Sequence, residues 1–216
     1  MFEDGGRHEM KKIMLGVALA LTLMVGMAAA TPVCASGADV LTLGTCQFGG
    51  LTFSGWGVTG AGLTSVTVFF GQNSSTSGST VYVNFQITHM PSPVSAADIL
   101  LSYAVSGGLI GVDLFLGTHV APVTIIENVC AVPFVQGSCP AGNLLASYAV
   151  NSANPTNAAF FAPHQTVYIV KDIQMGPGSA ISDFTNSHHV PEPLTLSLTG
   201  LGLLAAGWLG RRRVRG

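Results

Sequence analysis

The sequence predicts an all-β protein: an antiparallel β-sandwich or jelly-roll-like domain, flanked by an N-terminal signal peptide and a C-terminal transmembrane helix. Three observations carry this. Short segments alternate apolar and polar residues with period two, the pattern of strands with one wet face. Stretches rich in Gly, Ser, Asn and Pro separate them, GQNSSTSGS, HMPSPVSAA, VQGSCPAGN and NSANPTNAA, as turns require. An apolar run with basic residues beside it stands at each end of the chain.

The first element, residues 1–30, reads as a secretory signal peptide. Lys11 and Lys12 form a positive start, Ile13 to Met27 an apolar centre, and Ala28, Ala29 and Ala30 a small-residue cleavage site before Thr31. The preceding MFEDGGRHE is polar and uncharacteristic of such a start, which leaves Met10 as an alternative start. A competing site, Val33-Cys34-Ala35, would discard Cys34 and leave an odd cysteine count, which an exported protein disfavours.

Residues 31–187 form the expected β domain. In TVYVNFQIT, Val81, Val83, Phe85 and Ile87 face one way, and Tyr82, Asn84, Gln86 and Thr88 the other. LTFSGW, LTSVTVFF, DILLSYAV, LIGVDLFLG, PVTIIENVC, NLLASYAV and TVYIVKDIQ are the other strand candidates. Evenly spaced short strands with turn signals between them indicate a sandwich or jelly roll. About 160 residues suffice for one core, and no internal period suggests repeats.

Charge is partitioned. Only 8% of the chain is charged, and between Thr31 and Val190 a single base, Lys171, stands against Asp39, Asp98, Asp113, Glu127, Asp172 and Asp183. A body without a basic patch excludes nucleic acid as partner, because phosphate neutralisation supplies most of that affinity. Solubility must instead come from Ser, Thr, Asn and Gly.

The cysteines read as staples. Cys34 and Cys46 are neighbours in sequence, as are Cys130 and Cys139; nearest-neighbour pairing closes two short loops, although four cysteines allow three connectivities. There is no C-x2-C, and no histidine lies close to either pair, so no metal site and no cofactor are expected.

No catalytic site is expected either. His89, His119 and His164 adjoin loop signals, and the G-x-S-x-G elbow of a nucleophilic hydrolase is absent. Asp98 and Asp113 lie on neighbouring strand candidates and would have to face each other to act as a carboxylate pair. Trp56, in FSGWGVTG, would stack on sugars if exposed, or plug one end of the core; the second is the expectation.

The last element, residues 188–216, opens with His188 and His189 as a solvated linker. VPEP follows: each proline extends the residue before it, and Pro193 suits the first turn of a helix with Glu192 at its positive end. A helix over about 194–210 ends at Arg211, Arg212, Arg213 and Arg215, which the positive-inside rule keeps in the cytoplasm. Pro193 to Gly210 reaches about 27 Å, near the short limit for a span. Gly202, Ala206 and Gly210 share one helical face, a spacing that suits helix pairing but for which chance alignment is the better account.

VPEP, an apolar stretch and a closing arginine cluster together resemble the PEP-CTERM sorting signal of Gram-negative bacteria that make exopolysaccharide. The resemblance implies that exosortase, an integral membrane enzyme, recognises Pro191, Glu192 and Pro193 and removes the tail. CQFGGLTFSGW and VKDIQMGPGSAISDF are similar, more loosely, to segments near the two ends of β domains in exported proteins with this tail. The expected function is that of a non-enzymatic exported protein, anchored briefly in the inner membrane and delivered to the cell surface or exopolysaccharide matrix. A carbohydrate-binding β-sandwich module is the alternative, and a secreted hydrolase the third reading. Exosortase, the inner membrane and exopolysaccharide are the expected partners.

Overall fold

The computed structural model describes residues 30–60, 63–75, 78–89, 96–120 and 122–191. The predicted signal peptide, up to residue 29, and the predicted helix with its arginines, from residue 192 onward, lie outside the described residues. Among those described, no helix is long and apolar enough to cross a membrane. Contacts divide the chain into Met1–Thr31 and Pro32–Gly216, and the fold is that of the second unit.

That unit is all-β and antiparallel. Its strands are β1 (Ala38–Asp39), β2 (Cys46–Phe48), β3 (Leu51–Gly60), β4 (Leu63–Ser75), β5 (Gly78–His89), β6 (Ala97–Leu116), β7 (His119–Val120), β8 (Val123–Cys130), β9 (Leu144–Asn151), β10 (Thr156–Met175), β11 (Ala180–Ile181) and β12 (Asp183–Val190). Ten of them share one hydrogen-bonded sheet, and β7 and β11 form a separate pair. A short 3-10 turn, Val40–Thr42, follows β1, with the Asp39 side chain accepting from the Leu41 N–H.

The long strand β6 explains how one sheet makes two layers. DILLSYAV and LIGVDLFLG read as two strand candidates; instead a single strand runs through both. Gly107 and Gly108 have φ of 140° and 82°, backbone open to glycine and costly for other residues, and the chain bends there rather than reversing. Before the bend β6 pairs with β3; after it, Gly111 to Leu116 pair with β12. β10 follows β6 along its other side through both halves, with its own register shifts between Phe160 and Thr166. One layer therefore holds β2, β3, β8, β9 and half of each long strand, and the other holds β1, β4, β5, β12 and the remaining halves.

Inward residues of the two layers meet in an aromatic core. Phe53 of β3 meets Phe70 of β4 edge-on at 5.3 Å, and Tyr103 of β6 lies 5.7 Å from Phe85 of β5. Phe85 stacks on Phe184 at 4.9 Å, and Phe53, Phe85 and Phe184 are fully buried. Each such side chain contributes about 1.5–3 kcal/mol on burial.

Two segments depart from the sequence reading. β10 begins at Thr156, inside what reads as a loop. β12 spans Asp183–Val190, so it runs past residue 187, the expected end of the β domain, and takes in His188 and His189, which read as linker. The sequence hides this strand because Asn186 and His188 fill inward positions where a strand pattern requires apolar residues. Both are fully buried, so His188 does not lie in a solvated linker. The disulfides join Cys34 to Cys46 and Cys130 to Cys139, the nearest-neighbour pairing.

Candidate functional site

Of the predicted sorting motif only Pro191 is described. It is exposed and directly follows β12, where a residue without an N–H ends the ladder. Glu192, Pro193, Arg211, Arg212 and Arg213 lie outside the described residues.

The candidate catalytic groups are not brought together. His119 Nδ1 lies 2.8 Å from the Gly117 carbonyl and His164 Nδ1 2.7 Å from that of Ala162, each a local contact two residues upstream. His89 ends β5. Asp98 and Asp113 lie on opposite sides of the β6 bend and cannot act on one bond. Asp98 sits instead beside Asp172, whose hydrogen bond raises its pKa, with burial and like charge adding to the effect. Among the described residues no group of three or more His, Cys, Asp or Glu side chains is placed to hold a metal ion.

Trp56 faces the core. Its ring stacks on Tyr103 at 4.9 Å and on Phe53 at 6.0 Å, with Phe70 and Phe85 edge-on at 6.4 Å. Its Nε1 is buried and has no hydrogen-bond partner among the described residues. It is a packing residue and is not available to stack on a sugar.

The outer face of the second layer has a different character. Strand register places Gly71, Tyr82, Ser187, Asp113 and Ala158 in one row across β4, β5, β12, β6 and β10. The adjacent rows carry Thr80, His189, Gly111 and Phe160 on one side, and Phe69, Asn84, Thr185 and Phe115 on the other. Phe160 is 68% exposed, Phe115 47% and Phe69 37%, unusual exposure for three large apolar rings on one sheet face.

Two rings lie across glycines. A Cβ on Gly71 would meet Tyr82 Cζ at 2.1 Å, and one on Gly111 would meet Phe160 Cδ1 at 2.5 Å. Between these rings His189 Nε2 is 2.9 Å from Asp113 Oδ2, and Phe160 packs on the imidazole at 5.1 Å. Burial draws the Asp113 carboxyl upward, but hydrogen bonds from His189 and Ser187, with the nearby imidazole charge, hold it below its ordinary value. Beside this pair, Asp113, Leu114, Phe115, Thr156, Asn157 and Ala158 line a depression of about 440 Å³. The face thus offers aromatic ring faces, amide and hydroxyl groups and one carboxylate. Such groups present apolar stacking surface beside donors and acceptors for neutral hydroxylated ligands.

Beneath this face lies a second constellation that the sequence reading did not assemble. Lys171 and Glu127, both fully buried, form an ion pair. Tyr148 donates to Glu127 Oε1 at 2.7 Å, and Asn186 Nδ2 approaches the same oxygen at 3.4 Å and donates to the Asp113 carbonyl at 2.6 Å. The Tyr103 hydroxyl donates to Asn186 Oδ1, and His188 Nε2 stands 3.2 Å from that hydroxyl. Burial pushes Lys171 well below its ordinary pKa and Tyr103 well above its own, and holds His188 at about 3.

No family model and no curated protein matches the chain. Solved structures similar to it include the following three. One is described as TmCBM61 in complex with beta-1,4-galactotriose, 16% identical over 63% of this chain and 88% of that one, at a TM-score of 0.36. Another comes from work on carbohydrate-binding modules of the β-sandwich superfamily, at 12% identity, 75% and 62% coverage and a TM-score of 0.33. The third is the family 11 carbohydrate-binding module of cellulosomal cellulase Lic26A-Cel5E of Clostridium thermocellum, at 10% identity, 74% and 96% coverage and a TM-score of 0.25. Likenesses this slight carry nothing about ligand or role.

Proposed function

We propose that the β domain is a non-catalytic glycan-binding module of an exported protein, and that its ligand lies on the Tyr82–Asp113–His189–Phe160 face. The observation that carries this reading is the pair of rings laid over Gly71 and Gly111 on either side of the Asp113–His189 hydrogen bond. A sugar ring has a face of C–H groups and a rim of hydroxyls. Aromatic faces match the first, and Asp113, Ser187, Asn84 and Thr185 supply partners for the second. Rings held against backbone lose little freedom on binding, which limits the entropic cost of association.

Export is the second part of the proposal. Two disulfides accord with an oxidising compartment, and the VPEP segment leaves β12 at exposed Pro191, where a processing enzyme such as exosortase has access. The polysaccharide would then be one met outside the inner membrane, the exopolysaccharide matrix included. Affinity electrophoresis of the purified protein through gels containing a panel of neutral and acidic polysaccharides tests the binding claim. Retardation by at least one is expected, and unretarded migration in all, the host's own exopolysaccharide included, contradicts it.

A further inference from the structure

We propose that Lys171 and Asn186 become joined by a side-chain amide bond within the folded chain, with Glu127 carrying the protons. The two residues lie on β10 and β12, in different layers, and the Glu127 carboxylate bridges them: Oε2 bonds Lys171 Nζ, and Oε1 is 3.4 Å from Asn186 Nδ2. Fully buried Phe184 and the Tyr103 ring close the site from water, with Lys171 Nζ 5.9 Å and 5.8 Å from their centroids.

A buried ion pair alone is the simpler account, and it explains the Lys171–Glu127 contact. It does not explain why a primary amide sits on the other oxygen of that carboxylate, with its carbonyl oxygen receiving a hydroxyl donor. Those are the parts that transamidation requires: an amine, a proton carrier touching both amine and leaving nitrogen, and a donor where negative charge develops. Dry surroundings favour the neutral amine and neutral acid over two charges, and the lysine pKa is displaced in that direction.

The step balances without any other reactant. Lys171 Nζ passes a proton to Glu127 and attacks Asn186 Cγ. The carbonyl electron pair moves onto Oδ1, where the Tyr103 hydroxyl donates. Glu127 then protonates Nδ2 and accepts the remaining extra proton from Nζ; the C–Nδ2 bond breaks, the C–Nζ amide remains, and one ammonia leaves. Nothing is oxidised or reduced. Folding supplies the proximity that makes such an intramolecular step fast relative to its bimolecular counterpart. The product ties one layer of the sandwich to the other at a point the disulfides do not reach.

The chain offers a direct test, because Lys171 is the only Lys or Arg between Lys12 and Arg211. Full-length protein is purified folded, then denatured, reduced and digested with trypsin. Acylated Lys171 resists cleavage, so the body should survive as one piece, lighter than its sequence by one ammonia, and a second digest should release a branched peptide linking Lys171 to Asn186. Glu127→Gln should restore both the mass and the cut. Cleavage of the wild-type chain at Lys171 with unaltered mass overturns the proposal. So does loss of water instead of ammonia, which would mean a Lys171–Glu127 amide. The wild-type digest decides even if the variant fails to fold.

Discussion

The ring of Tyr82 lies over Gly71, so closely that a Cβ there would stand 2.3 Å from the tyrosine hydroxyl. Every atom in that clash belongs to the tyrosine side chain, and Gly71 is absent from the glycines with positive φ. Alanine at this position therefore displaces the ring and leaves the backbone unstrained.

Gly71→Ala should weaken glycan binding about tenfold, the equivalent of roughly 1.4 kcal/mol, with little change in thermal midpoint. Affinity electrophoresis beside a melting curve separates the two effects. Equal binding by wild type and variant would remove Tyr82 from the ligand surface.

Phe160→Ala should behave likewise, since Phe160 is 68% exposed and exposed substitutions shift stability by only about 0.5 kcal/mol. Binding should fall about tenfold or more. A large loss of stability instead would show that the ring is structural.

Trp56→Ala should have the opposite profile. The ring packs among Phe53, Phe70, Phe85 and Tyr103, so its removal should cost about 3–5 kcal/mol, while the fraction that folds still binds. Urea titration measures the first effect and gel retardation the second.

Acid should unfold the domain through His188. Burial, the largest cause, holds its folded pKa at about 3, whereas an unfolded histidine titrates near about 6.5. The unfolded chain therefore binds the extra proton first, and stability falls as pH drops through that window. Asp113 acts in the same sense at lower pH: its carboxyl is depressed, and its contribution is lost on acidification below about 3.9. The urea midpoint should decline steadily from neutral pH toward pH 4, and His188→Gln should flatten that decline. A midpoint independent of pH would contradict the buried neutral imidazole.

At the other end, Glu192→Ala in a host with exosortase should leave a larger, membrane-retained species, visible by fractionation and immunoblot. Unchanged size and location would refute the processing reading.

The strand pattern and nearest-neighbour cysteines were legible because period-two alternation and loop length are local properties. Lys171 and Glu127 entered the sequence reading only as counted charges, although each stands in inward register between apolar residues, Ile169 and Ile173 for the one and Ile125 and Val129 for the other, and that was the signal that could have paired them. Asn186 was hidden, because β12 carries Asn186 and His188 where alternation needs apolar residues. The proposed binding face was hidden for another reason. That Tyr82 covers Gly71 and Phe160 covers Gly111 depends on register between strands, which the sequence of one strand does not contain. Trp56, conspicuous in the sequence, belongs to the core.

The most direct measurement follows backbone amide NMR shifts while an oligosaccharide from a retarding polysaccharide is titrated in. The account predicts changes concentrated on the outer face of β4, β5, β12 and the adjoining halves of β6 and β10, around Gly71, Tyr82, Ser187, Gly111 and Phe160. Shifts confined to the other layer, with this face undisturbed at saturation, would contradict it.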